Sequence, residues 1–107
     1  MIYLIRTKGE TMDDYKVGYA KSFDSRARAY ITDNPNVEFL EGIMTYEKTK
    51  HRLERQVQRE IELLGYEWKD NHGTRTEWFS VPKGTEIHLK DFKACKGRKI
   101  FLLDDGE

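Results

Sequence analysis

Apolar and polar positions change their spacing along this chain, and each change marks an element. Residues 2–6 are a short apolar run, which predicts a strand. Residues 7–14, with Gly9 and the pair Asp13-Asp14, read as a loop. Residues 15–20 predict a second strand, most simply the returning arm of a hairpin. From residue 22 the period lengthens. Phe23, Ala27, Tyr30 and Ile31 fall at i, i+4, i+7 and i+8, one face of an amphipathic helix that Ser22 can cap and Asn34-Pro35 ends. Residues 37–45 predict a third strand, partly apolar on both faces and therefore central. Residues 46–64 predict a long helix stopped by Gly65, with Leu53, Val57, Ile61 and Leu64 as its core face. Residues 66–75 read as a loop, and 76–81 as a short strand or ordered segment stopped by Pro82. In the tail, 85–95 fits a short helix and 99–103 an edge strand. The order ββαβα predicts an α+β fold, a small three-stranded, mainly antiparallel sheet flanked by helices. Residues 1–81 form its body, and residues 82–107 a C-terminal extension packed on it.

Composition narrows the function. A chain of 107 residues makes one domain with one modest core. Charged residues at 36% and hydrophobic residues at 37% describe a polar folded domain rather than a disordered chain. The 19 basic and 19 acidic residues cancel, which excludes coating nucleic acid through overall charge and leaves only a local basic patch. Cys95 is the single cysteine, so no internal disulfide forms and a reducing cytosol is expected. Cys95, His51, His72 and His88 show no zinc-ligand spacing. The opening MIYLIR is too short for a signal peptide, and no stretch approaches membrane-spanning length.

Two places hold candidate chemistry. Gly18 lies inside a strand, where glycine marks a bend or the close approach of another group. With Lys16, Arg26 and Tyr30 it gathers at one strand-to-helix junction, read here as an anion site for a nucleic-acid phosphate. The second place is Glu54, on the margin of the buried face of the second helix. A carboxylate there is costly unless it is paired or binds a cation. Lys50, at i−4, offers an ordinary salt bridge instead. Residues 48–59 set Lys48, Lys50, Arg52, Arg55 and Arg59 against Glu54 alone, which fits either a solvated face or a phosphate partner. Glu77-Trp78-Phe79 fits an aromatic core plug as well as a site segment.

The order Ile2-Tyr3, then Lys16-Val17-Gly18, then Arg26, then a helical Glu54, then Glu77-Trp78-Phe79 resembles the GIY-YIG endonuclease superfamily. It is most similar to the small phage-type branch with lysine in the second motif half. The resemblance spans roughly residues 1–81. Met1 stands where the first motif glycine would be, and the late asparagine of many members has no clear counterpart: Asn71 sits in a predicted loop, and Glu77 can take that role. The resemblance implies a metal-dependent DNA endonuclease. Tyr3 would position or deprotonate the attacking water. A free phenol has a pKa of about 10, so Lys16 would be the cation that lets it act at neutral pH. Arg26 would grip a phosphate oxygen, with Tyr30 in the same cluster. Glu54 would hold one Mg2+ or Mn2+, and Gly18 and Glu77 would support the site. Lys21, Arg28, Lys50, Arg52 and Arg55 would flank the groove and hold the backbone of DNA rather than RNA. A monomer or homodimer in the cytoplasm of a bacterial or phage-infected cell, with no membrane association, is expected. The competing readings are a catalytically inactive nucleic-acid-binding module and a phage-type protein-interaction protein. The joint presence of Tyr3, Lys16, Arg26 and Glu54 favours the enzyme.

Overall fold

The N-terminal strands run well past their apolar stretches. In the computed structural model, which describes residues 1–21, 29, 36–46 and 48–103, β1 (Ile2–Lys8) pairs antiparallel with β2 (Met12–Tyr19) along its whole length. The loop expected at 7–14 shrinks to a tight connection. Asp13 makes the extension possible: its carboxylate accepts the Gly9 N–H at 3.3 Å and lies 3.6 Å from Lys83 Nζ, so this buried acid is partnered. The β3 strand (Val37–Ile43) pairs with the other side of β1, with a bulge at Leu4/Ile5. Apart from Ala29, the predicted first helix lies outside the described residues.

Among the described residues the sheet has six strands, not three, and all its pairings are antiparallel, in the order β4-β5-β2-β1-β3-β6. The additional pair, β4 (Glu67–Asn71) and β5 (Thr74–Pro82), occupies the stretch expected to be a loop. Its turn sets His72 at φ 54° and Gly73 at φ 81°, two successive left-handed residues, and such tight turns match the twist of paired strands. Every β4 residue except Trp68 is exposed, so no apolar alternation announces the strand. Pro82 ends β5, where a missing N–H is tolerated. The β6 strand (Ile100–Leu102) pairs with β3 at the sheet edge, as expected of the tail.

The pattern of flanking helices is also corrected. The one α-helix with described ends is α1 (Lys50–Leu64), and it starts later than position 46. Tyr46 is 85% exposed ahead of it, and Leu64, expected in the core, is 57% exposed. Leu53, Val57 and Ile61 are buried as the spacing predicts. Gly65, at φ 83°, ends the helix in the left-handed conformation that a side chain disfavours.

Each face of the sheet carries core. On one face Ile2, Leu4, Tyr15, Val17, Phe79 and Val81 meet the apolar stripe of α1 together with Leu89, Phe92 and Cys95 of the tail. Burial pushes the Cys95 thiol up to about 11, so it stays protonated and inert at neutral pH. Where one short helix was expected at 85–95, the tail makes two 3-10 turns, Leu89–Asp91 and Lys93–Cys95. Two carboxylates pin them. Glu60 accepts the N–H groups of Lys93 and Ala94 at 2.7 and 2.8 Å. The buried Glu41 accepts the Leu89 N–H at 2.7 Å, with His88 Nδ1 at 3.0 Å from its other oxygen. The opposite face buries Tyr3, Ile5, Ala20, Val37 and Phe39, with Met1, Trp78 and Leu103 packed beside them.

Candidate active site

Strand β5 follows β2 only as far as the pair Lys16↔Trp78, whereas β2 continues to Tyr19. Helix α1 reaches the place where they part: Gln58 Nε2 donates to the Val17 carbonyl at 3.4 Å. A cleft of about 240 Å³ opens there, lined by Tyr3, Lys16, Tyr19, His51, Glu54 and Glu77. Divergence of these two interior strands beyond their last pair is what lets side chains from strands and helix meet in one space.

Tyr3 sits in register between Gly18 on β2 and Gly42 on β3 and is 2% exposed. Its ring lies against the bare backbone of Gly18, the close approach that a glycine inside a strand signals. Lys16 Nζ is 3.6 Å from Glu77 Oε2. The Glu54 carboxyl is held above the usual carboxylate range, first by its partial burial and then by the negative charge of Glu77, against the opposing pull of His51, Lys16 and Arg55. The His51 ring tilts at 54° to the Tyr19 ring, with centroids 5.4 Å apart.

Of the residues singled out by sequence, Tyr3, Lys16, Glu54 and Glu77 therefore meet in one cleft, with Gly18 beneath the phenol. Arg26, Arg28 and Tyr30 lie outside the described residues, as does the side chain of Lys50. Lys21 is exposed just past β2 and does not line the cleft. Arg52 and Arg55 line a second, larger groove instead. Tyr19 and His51 were missed as site residues. The available signal for His51 was its place three residues before Glu54, on the same helical face.

Glu54 and Glu77 are the two carboxylates of the cleft that could hold a divalent cation, with Lys16 beside Glu77 as a competing positive charge. Magnesium takes one or two carboxylates and keeps several waters, and Glu54 with Glu77 supplies that number. Among the described residues no cluster of three or more histidine, cysteine or acidic side chains could cage a metal. A cation at Glu54 would relieve both causes of its raised pKa, lost hydration and the neighbouring carboxylate.

Residues 1–98 match the T5orf172 domain, and the chain belongs to that family, a phage-associated domain with nuclease-like relatives. The match extends through the two 3-10 turns of the tail. No curated protein and no solved structure shows a significant match. No described helix is long and apolar enough to cross a membrane.

Proposed function

We propose that this T5orf172-family chain is a metal-dependent DNA endonuclease with a GIY-YIG-type centre in the Tyr3–Glu54 cleft. The observation that carries the reading is convergence. Tyr3 on β1, Lys16 on β2, Glu54 on α1 and Glu77 on β5 are distant in sequence, yet they line one opening.

Hydrolysis of a phosphodiester needs a positioned water, a sink for its proton, and stabilisation of charge on the phosphate and the leaving oxygen. The phenol of Tyr3 is held by the strand beneath it, so its oxygen can orient a water without first giving up rotational freedom. Lys16 lines the same cleft, and its positive charge favours the phenolate that could accept the proton. Glu54, with Glu77 beside it, would hold Mg2+ or Mn2+, and the bound cation would neutralise developing charge on phosphate and leaving oxygen. His51, on the rim with Glu54, is placed to exchange protons with solvent. Arg26 retains the phosphate-gripping role that the motif order gives it, for which a guanidinium fork is suited.

Supercoiled plasmid incubated with Mg2+ or Mn2+, and with chelator, tests the reading. Relaxed or linear product that depends on metal and disappears in Glu54→Gln and Tyr3→Phe is the expected result. A wild-type chain that cuts with neither metal would remove the enzymatic reading. If such a chain still bound DNA, it would be a nucleic-acid-binding module.

A further inference from the structure

A groove of about 450 Å³, larger than the cleft, runs between α1 and the β4–β5 hairpin. Arg52, Arg55 and Arg59 of the helix and Arg75 of β5 line it, and Glu62 is the one carboxylate among its lining residues. A chain of zero net charge thus concentrates four guanidinium groups on one surface. The helix arginines recur at i, i+3 and i+7, so they share a face and span roughly 10 Å at about 1.5 Å per residue.

Arg75 is held differently from the other three. Its Nη1 lies 2.6 Å from Glu62 Oε1, and its guanidinium carbon lies 4.1 Å from the centre of the Trp68 ring. The stack fixes the plane of the fork, and the ion pair joins hairpin to helix across the groove. Both partners are about half exposed, and an ion pair in such a setting holds weakly. A phosphate presents the same two-oxygen geometry as a carboxylate to a guanidinium.

We propose that this groove is the track for one polynucleotide backbone strand, and that Glu62 occupies on Arg75 the place of a phosphate until nucleic acid displaces it. The inference rests on the reading that the neighbouring cleft acts on nucleic acid. The two sites share α1: Arg52 and Arg55 of the groove come from the same turns as His51 and Glu54 of the cleft, on a neighbouring face of the helix.

Fluorescence anisotropy tests this with labelled single-stranded DNA, duplex DNA and RNA of one sequence, in chelator, across a salt series. The variants are Arg59→Gln with Arg75→Gln, Glu62→Gln, and a control removing two exposed charges of the tail, Lys90→Gln with Lys96→Gln. Thermal melts establish that each is folded. The arginine pair should lose about tenfold or more in affinity, with a log–log salt slope shallower by about two. Glu62→Gln should bind several-fold tighter, whereas a purely structural ion pair would lower the melting temperature without raising affinity. The tail control should match wild type. An arginine pair with wild-type affinity and slope, or a Glu62→Gln that binds no tighter, overturns the proposal while leaving plasmid cutting by the wild type intact. Equal displacement by polyglutamate would overturn the assignment to nucleic acid. A wild type that neither binds these probes nor cuts plasmid takes down the underlying reading as well.

Discussion

A Cβ on Gly18 would lie 2.5 Å from the Tyr3 hydroxyl oxygen and 2.6 Å from the ring carbon that bears it. The glycine is therefore the surface on which the phenol rests. Gly18→Ala should force the ring out of its place. Overpacking of this kind costs about 1–3 kcal/mol, which would show in a thermal melt of a still-folded protein. Metal-dependent cutting should fall to the level of Tyr3→Phe. Unchanged cutting would mean that the position of the phenol does not matter to the chemistry.

Glu54 yields a prediction in which stability and activity part. Its carboxyl titrates above the ordinary range in the folded chain, so its contribution to stability is full below the ordinary carboxylate pKa. That contribution is lost as pH rises through the raised value. At neutral pH and without metal, Glu54→Gln should melt higher than wild type, by roughly a few degrees for a domain of this size. It should not cut. Mg2+ or Mn2+ should raise the melting temperature of the wild type and leave the variant unchanged. A variant that melts lower in chelator would show that Glu54 is a structural ion-pair partner instead.

His88 gives the pH dependence of the tail. The bond to Glu41, helped by Glu86, raises its pKa above the ordinary imidazole value, against a smaller opposing effect of burial. The stabilisation is full below about pH 6.5 and disappears as pH rises through the raised folded value. Hydrogen exchange at the amides of the Leu89–Asp91 turn should speed up more between pH 6 and 8.5 in wild type than in His88→Asn, after correction for intrinsic rates. Equal changes in both would show that the pair does not hold the turn.

The β4–β5 turn is testable through its backbone. Gly73 stands at φ 81° with open space around it, so a substitution there meets strain rather than a clash. Gly73→Ala should destabilise by about 1 kcal/mol, and Gly73→Asn by less, because asparagine tolerates the left-handed region. Chemical denaturation of the two variants measures the difference.

What could be read from sequence follows from what each element faces. The strands near residues 2, 15 and 37 and the stripe Leu53, Val57 and Ile61 border the core, so their apolar spacing reports them faithfully. Strand β4 borders water on nearly every residue, and its turn places a left-handed histidine where asparagine or aspartate would have signalled a hairpin. Met44 and Tyr46 misled in the opposite direction: they are apolar, yet exposed, and so extended the predicted third strand forwards and the predicted helix backwards. In the cleft, Tyr3, Lys16, Glu54 and Glu77 were legible from motif order. Tyr19 was not, because it meets the cleft through the packing of α1 on β2, and His51 carried only the signal of standing three residues before Glu54.

The pairing of β5 with β2 joins positions 62 to 70 residues apart, and contacts of that separation form late and slowly. A nascent chain that has emerged only as far as Gly65 already contains five of the six cleft residues. It lacks Glu77, the strand that forms the second wall, and Arg75 of the neighbouring groove. Synthesis itself therefore acts as a timer: the site cannot close until the last hairpin leaves the ribosome.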